Sequence, residues 1–201
     1  MRCLMVMDQV DMMEIVSKHR GNAVVLPIFM AAKGWNQVSK QPRRDFSGGG
    51  SMGKGSSIAL GLALARPDIP IILFDGDGSL EMNLGSLVTV ANKAPKNLYH
   101  FVIQNGVYAM TGGQPIPGAA KVSFRDMALA AGYANAYDFS DLEEFENSIE
   151  DIFAEDGPIL ICCHTIPDIR TLEQRAASRS DPNRRSISTA VQELREEMSS
   201  A

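Results

Sequence analysis

Two residues that could bind one small cation come directly after two predicted strands. Asp77 follows the apolar run 71–74, Asn105 follows the apolar run 98–103, and apolar residues at helical spacing occupy positions 80–91 between them. A strand–helix–strand unit of this kind makes its two strands parallel, and we expect them to be neighbours in one sheet. Adjacent strands lie about 4.8 Å apart, so both side chains can reach one Mg²⁺ ion, whose ligands lie at roughly 2.1 Å. The sequence therefore predicts a divalent-metal site at the carboxyl edge of a sheet.

The residues around Asp77 indicate that this metal would hold an anion. Gly76 and Gly78 allow a sharp turn and a close approach of the backbone to a ligand. Ser79 is predicted to open the next helix, whose first free N–H groups favour an anion. Mg²⁺ usually takes few protein ligands and fills its other positions with phosphate oxygens and water, so the pattern favours a metal-bound diphosphate. Two plainer interpretations stay open, because Asp beside Gly is common in turns and Ser is a common N-cap.

A second glycine-rich stretch, residues 47–54, has the glycine spacing of a dinucleotide-binding loop. The preceding residues 42–46 do not form a buried strand pattern, which that fingerprint requires. The stretch also nearly fits a phosphate-binding loop, but Lys54 is followed by Gly instead of Ser or Thr. A nucleotide-binding α/β domain is therefore an alternative that neither pattern supports fully.

Several segments together resemble the thiamine-diphosphate-dependent enzymes. The motif Gly76-Asp77-Gly78-Ser79 followed by Gln104-Asn105 is similar to the metal–diphosphate motif of that family, which closes with Asn-Asn or Asp-Asn. The sequence departs from the family pattern at Gln104 and keeps the ligand position that follows it. Residues 82–87 and 111–115 extend the resemblance to the sulfopyruvate decarboxylase β subunits and the phosphonopyruvate decarboxylases, over about residues 8–165.

The resemblance implies which residues would hold thiamine diphosphate and Mg²⁺. The metal ligands would be the side chains of Asp77 and Asn105 and the backbone carbonyl of Val107. In the glycine-rich stretch, the Gly50 carbonyl would accept a hydrogen bond from the aminopyrimidine, and Met52 would wedge between the two rings of the cofactor. The full set of residues expected to bind the cofactor is Gly50, Ser51, Met52, Gly76, Gly78, Ser79, Asn105, Val107 and Tyr108.

Other polar residues give weaker indications. Glu81 is expected to be a solvated helix residue, and His100, inside a strand, a satisfied structural residue. His164 ends the last predicted strand, where a functional role stays open. Cys162 and Cys163 should point to opposite faces of that strand, which makes them a poor metal-binding pair.

Composition places the chain among ordinary globular proteins. It has 201 residues, of which 45% are hydrophobic and 21% charged, and its net charge is −5. The net charge argues mildly against nucleic acid and anionic membranes as partners. No apolar run approaches the ~20 residues that span a bilayer. The apolar stretch within the first ten residues is too short for a secretory signal, and an acidic residue follows it too soon. The three cysteines have no spacing typical of a disulfide framework. The sequence therefore favours a location in the reducing cytoplasm.

Alternation of strand and helix patterns predicts an open, doubly wound α/β fold with a mostly parallel sheet flanked by helices. Residues 1–166 are expected to form the cofactor-binding domain, and residues 167–201 a polar linker and a helical tail. The tail helix, predicted at 186–198, has an apolar stripe that could dock on a partner chain or stay solvated.

The resemblance implies that the chain is the diphosphate-binding β subunit of a 2-oxo acid decarboxylase, in which sulfopyruvate or phosphonopyruvate would give CO₂ and an aldehyde. In the family, a glutamate of a separate pyrimidine-binding domain activates the cofactor, and this chain is too short to contain both domains. We therefore assign no catalytic residue here and expect a pyrimidine-binding α subunit in a hetero-oligomer. The alternatives are half of an acetolactate-synthase-type carboligase and a cofactor-binding regulatory subunit without turnover.

Overall fold

The computed structural model describes residues 6–46, 52–169, 171, 173–174 and 185–199. The strands are Val24–Pro27 (β1), Ile71–Gly76 (β2), Leu98–Gln104 (β3), Val107–Tyr108 (β4), Gln114–Pro115 (β5), Asn135–Phe139 (β6) and Ile159–His164 (β7). The α-helices are Gln9–His19 (α1), Met30–Val38 (α2), Gly55–Ala65 (α3), Asp77–Glu81 (α4), Gly85–Lys93 (α5), Phe124–Ala131 (α6), Leu142–Ala154 (α7) and Ile187–Ser199 (α8). A short 3₁₀-helix at Pro42–Arg44 precedes the glycine-rich stretch.

Five strands form the main sheet in the order β1-β2-β3-β7-β6, and every pairing in it is parallel. Strands β2 and β3 pair in register from Ile71 with Leu98 to Gly76 with Ile103, which confirms that they are parallel neighbours. The predicted α/β class with a mostly parallel sheet is therefore confirmed. Strands β4 and β5 form a separate two-residue hairpin above the sheet edge.

Two apolar cores cover the two faces of the sheet because successive strand residues are apolar and point to opposite sides. One core lies beneath α1, α2 and α7, and rings of Trp35, Phe74 and Phe101 stack through it at centroid separations of 5.2 and 5.0 Å. The other core lies beneath α3, α5 and α6 and contains side chains such as Leu73 and Val102. Within the described ranges, no helix combines the length and apolar character that crossing a bilayer would require.

The helix predicted across positions 80–91 is interrupted in the structure. Helix α4 begins at Asp77 and has five residues, and α5 starts at Gly85 after a turn. The turn is held from outside the segment, since the Asn83 side-chain amide donates to the Gly53 carbonyl at 2.9 Å. The prediction that Ser79 opens a helix is wrong by two residues, because α4 begins at Asp77 and Ser79 is its third residue.

Helix α8 packs on its own chain beside the 3₁₀-helix. Ala190 and Leu194 are buried, and Arg43 forms ion pairs with Glu196 and Glu197 at 2.9 and 3.4 Å. The predicted apolar stripe therefore divides: Leu194 joins the core, whereas the first part, at Ile187 and Val191, stays exposed. The division of the chain at position 166 stays a prediction.

Candidate cofactor and metal site

An open pocket lies at the carboxyl edge of the sheet, where β1, β2 and β3 end. The pocket residues that the sequence predicted for cofactor or metal binding are Met52, Gly76, Asp77, Gly78, Ser79, Asn105, Val107 and Tyr108. The remaining two predicted positions, Gly50 and Ser51, lie outside the described residues. The fold thus brings every described member of the predicted set to one place.

The Asp77 carboxylate lies between the ends of β2 and β3. Its side chain is 3% exposed, and its two oxygens accept hydrogen bonds from the N–H groups of Gly78, at 2.8 Å, and Gly106, at 2.7 Å. Burial raises the pKa of Asp77, and the backbone N–H groups of Gly106, Gly78 and Asn105 oppose that shift. Each carboxylate oxygen retains a lone pair, and a bound cation would offset the burial of the negative charge.

Asn105 and Val107 present oxygen atoms next to Asp77. The Asn105 side-chain oxygen accepts the Val107 N–H at 3.0 Å, and the Val107 carbonyl accepts the Ala109 N–H at 3.0 Å. Gly106 adopts a φ of 73° between them, which lets the chain turn back over the strand end. Carboxylate, amide and carbonyl oxygens are the donors that Mg²⁺ takes in proteins, so this set fits a hard divalent cation.

Gly78 makes the close approach of Tyr108 to α4 feasible. A Cβ atom at position 78 would lie 2.5 Å from Cε1 of the Tyr108 ring and 3.0 Å from Cδ1 of Ile116. Real Cβ atoms do not come that close to a ring carbon, so any side chain here must displace the wall of the pocket.

We expect Gly78→Ala to lower the free energy of unfolding by about 1–3 kcal/mol, the usual cost of overpacking a tightly packed position. Urea denaturation measures this change. The matched control is Gly61→Ala in α3, where a Cβ atom meets nothing within 4 Å, and where alanine should stabilise by about 0.5–1 kcal/mol. Equal stability of Gly78→Ala and the unaltered chain would contradict the packing argument.

A hydrogen-bonded chain behind the pocket fixes Ser79. The Ser79 hydroxyl accepts the Gly53 N–H at 3.1 Å, so it connects α4 to the end of the glycine-rich stretch. Burial raises the pKa of Asp75 to about 6, against opposing hydrogen bonds from the Ser79 hydroxyl and the Gly76 N–H. Asp75 was absent from the predicted set, and its signal in the sequence is a charge at the end of an otherwise apolar strand.

His100 lies on β3 behind this chain and is neutral. Its Nδ1 is hydrogen-bonded to the Tyr133 hydroxyl at 3.1 Å, and complete burial lowers its pKa to about 3. Its Nε2 lies 4.0 Å from Oδ2 of Asp75, and neither atom has a hydrogen-bond partner among the described residues. The prediction that His100 is fully satisfied is therefore wrong for one ring nitrogen.

Glu81 also differs from expectation. Burial first, and the nearby Asp77 second, raise the pKa of its carboxyl group. Its Oε1 atom is buried and has no hydrogen-bond partner in the described part of the chain. Glu81 is therefore a partly desolvated carboxylate beside Asp77, and the prediction of a freely solvated helix residue is wrong.

Gln104, where the sequence departs from the family pattern, has partners of its own. Its side-chain oxygen accepts the Cys162 thiol at 3.0 Å, and its amide nitrogen donates to the Ala119 carbonyl at 3.4 Å. Cys162 and Cys163 belong to different apolar cores, as their predicted opposite directions require. The longer amide at position 104 therefore reaches across to β7 and supports the strand end that carries Asn105.

The pocket wall from β1 includes one strained residue. Phe29 lines the pocket. Its backbone angles, φ 49° and ψ −112°, are a combination that residues with a side chain rarely adopt. Such strain persists where the surrounding structure holds it, often at functional sites.

Comparison with known proteins agrees with this arrangement. Residues 29–163 match the family model described as "Thiamine pyrophosphate enzyme, C-terminal TPP binding domain". Phosphonopyruvate decarboxylase of Streptomyces viridochromogenes is 41% identical over 112 residues, which are 56% of this chain and 28% of that protein. Sulfopyruvate decarboxylase subunit beta of Methanocaldococcus jannaschii is 39% identical over 128 residues, 64% of this chain and 67% of that protein.

Among solved structures, the thiamine diphosphate-dependent 4-hydroxybenzoylformate decarboxylase of Rhodococcus jostii is similar with a TM-score of 0.68 at 22% identity. The match covers 83% of this chain and 34% of that one, and it concerns the fold. The chain thus spans about a third or less of the length of the matched phosphonopyruvate decarboxylases and of the Rhodococcus enzyme. The family match covers more than half of the chain, and the chain therefore belongs to the thiamine pyrophosphate enzymes, in the part that forms their C-terminal cofactor-binding domain.

Proposed function

We propose that this chain is the diphosphate-binding β subunit of a thiamine-diphosphate-dependent 2-oxo acid decarboxylase acting on sulfopyruvate or phosphonopyruvate, with CO₂ and the aldehyde as products. The observation that carries the proposal is the pocket in which Asp77 and Asn105 meet from neighbouring strand ends. The names of two relatives, phosphonopyruvate decarboxylase and sulfopyruvate decarboxylase subunit beta, support the substrate class.

In this proposal, Mg²⁺ binds to the side chains of Asp77 and Asn105 and to the Val107 carbonyl. The support is the set of oxygen donors around one pocket and the buried charge of Asp77. When bound, thiamine diphosphate would supply the nucleophilic carbon and the electron sink on which a 2-oxo acid loses CO₂.

The chain's own residues would orient the cofactor. Ser79 and the backbone at Gly76 and Gly78 would bind the diphosphate, because their atoms line the pocket beside Asp77. Met52 reaches the same pocket from the end of the glycine-rich stretch, where it would support the bent cofactor. Tyr108 would close the wall against Gly78. Gly50 and Ser51 complete the proposed set, outside the described residues.

A pyrimidine-binding α subunit would supply the activating glutamate. The support is the subunit naming of a relative, sulfopyruvate decarboxylase subunit beta. We propose that residues 1–166 form this domain, that residues 167–201 form the tail, and that the complex works in the cytoplasm, where the free buried thiols of Cys162 and Cys163 would stay reduced.

The test is CO₂ release from sulfopyruvate and phosphonopyruvate, with thiamine diphosphate and Mg²⁺, by the chain alone and after assembly with the pyrimidine-binding chain. We expect turnover only from the assembly, since catalysis needs groups from both sides of the cofactor. Full activity of the isolated chain would refute the half-site proposal. Acyloin in place of aldehyde would identify the carboligase alternative, and tight cofactor binding without any product would identify the regulatory one.

A further inference from the structure

A second group of metal-ligating side chains lies on the same sheet edge, outside the lining of the pocket. Asp138 on β6 pairs directly with Cys162 on β7, and His164 comes two residues after Cys162. Because residues two apart on a strand point to the same face, all three side chains project from one side of the sheet. One potential ligand atom from each lies within 4.8 Å of the other two.

The three side chains differ in exposure in a way that suits binding from solvent. Cys162 is fully buried, whereas the side chains of His164 and Asp138 are 30% and 34% exposed at the rim. Nε2 of His164 and Oδ1 of Asp138 are 2.7 Å apart, so the pair holds a proton between them. A cation entering from the rim would meet these two atoms first and the sulfur below them.

We propose that Asp138, Cys162 and His164 bind a divalent transition metal of the zinc class, at a site distinct from the pocket around Asp77. Imidazole, thiolate and carboxylate are ligands that Zn²⁺ takes at about 2.0–2.3 Å, in tetrahedral sites that can leave a fourth position to water. Ligand atoms around such an ion are about 3.3–3.8 Å apart by that geometry, so the group needs only small side-chain movements to close on it.

The affinity of this site for a metal ion should depend on pH, because the metal and protons compete for the same ligand atoms. The metal would displace the proton between His164 and Asp138 from Nε2 and would release the proton of the Cys162 thiol. One proton leaves if the neutral imidazole moves its proton to Nδ1, and two leave if the ring starts as imidazolium. Burial strongly raises the pKa of Cys162, and the hydrogen bond with Asp138 raises the pKa of His164. Protons therefore compete well for this site, and the affinity for metal should fall as the pH is lowered.

Gln104 links this site to the cofactor pocket. Its side-chain oxygen now accepts the Cys162 thiol proton. A metal-bound thiolate has no proton to donate, so we expect the amide to turn its nitrogen toward the sulfur, as outer hydrogen-bond donors do around metal thiolates. The neighbouring residue is Asn105, and the metal would thus brace the strand end that serves the pocket.

Cobalt(II) reports on the proposal because a thiolate ligand gives it an intense charge-transfer absorption in the near ultraviolet, which oxygen ligands do not. The metal-free full chain is titrated with Co²⁺ under reducing conditions, and Zn²⁺ is then added. We expect this absorption to saturate at one Co²⁺ per chain and to disappear as Zn²⁺ displaces the cobalt. A Co²⁺ titration without the charge-transfer band would overturn the proposal, whatever the outcome at the Asp77 pocket.

The neighbouring cysteine gives a matched control. Cys163→Ser changes a buried thiol on the opposite face of the same strand and should leave the band unchanged, whereas Cys162→Ser should abolish it. Asp138→Asn keeps the shape of a side chain at the rim and should weaken Co²⁺ binding at least tenfold. Persistence of the band in a folded Cys162→Ser variant, verified by circular dichroism, would assign the sulfur to another cysteine and contradict the site.

Discussion

Replacing Asp77 with asparagine is expected to weaken the magnesium-dependent binding of thiamine diphosphate by about 100-fold, equivalent to about 2.7 kcal/mol. The neutral amide is a poorer ligand for a hard cation than the carboxylate it replaces. The substitution also places an NH₂ group against a backbone donor, because both Asp77 oxygens accept N–H groups, from Gly78 and Gly106. Calorimetric titration of the assembled complex with thiamine diphosphate, with and without Mg²⁺, measures the effect.

The control for this substitution is Asp156→Asn. Asp156 is an exposed carboxylate that pairs with Lys96 near the starts of β3 and β7, at the opposite edge of the sheet from the pocket. The Asp156→Asn substitution removes the same charge from the chain as Asp77→Asn, but at a position outside the pocket. If Asp77→Asn binds the cofactor as tightly as Asp156→Asn in the presence of Mg²⁺, Asp77 is not a metal ligand and the proposed centre is wrong.

Replacing Asp45 with alanine is expected to destabilise the folded chain by about 3–5 kcal/mol, the usual result of removing one partner of a buried ion pair. Asp45 and Arg20 are 5% and 4% exposed, and their charged atoms lie 2.8 Å apart. Burial lowers the pKa of Arg20, and Asp45 opposes this shift. Without Asp45, the guanidinium keeps hydrogen bonds to the Ala23 carbonyl, at 2.8 Å, the Ser39 hydroxyl, at 3.3 Å, and the Arg44 carbonyl, at 3.4 Å. None of these partners carries a negative charge that would offset the buried cation.

Urea denaturation monitored by the fluorescence of Trp35 measures this loss, because the indole lies beside the altered pair. The matched comparison is Lys96→Ala, which breaks an ion pair of the same length whose side chains are both more than two-thirds exposed. Exposed pairs are screened by water, so this variant should unfold at nearly the same urea concentration as the unaltered chain. A similar small effect for Asp45→Ala would mean that water reaches the guanidinium in solution.

The central part of the fold could be predicted from local sequence because its signals are local. Apolar runs and the flanking glycines are sufficient to place β2 and β3, and β7 ends at His164 as predicted. Helix limits were less predictable where a distant residue decides them. The break after α4 depends on the contact between Asn83 and Gly53, which are 30 positions apart.

The parts of the site that the sequence did not predict depend on strand order. Asp75, His100 and Tyr133 meet only because β2 and β3 are neighbours and Tyr133 packs beneath them. Asp138 reaches Cys162 because β7 inserts between β3 and β6, an order that no pattern of residues specifies. Apart from Met52, the described members of the predicted cofactor set come from strand ends and adjoining turns, whose position follows from parallel pairing.

The backbone of Phe29 carries strain that the packing of its own side chain offsets. A glycine there would adopt the same φ without the steric cost of about 1–3 kcal/mol that such conformations carry. It would also lose a partly buried ring that packs against the core beneath α3, α5 and α6, and truncating a buried Phe side chain usually costs about 3–5 kcal/mol. Selection for heat resistance should therefore keep a large apolar side chain at this position in spite of the strained backbone.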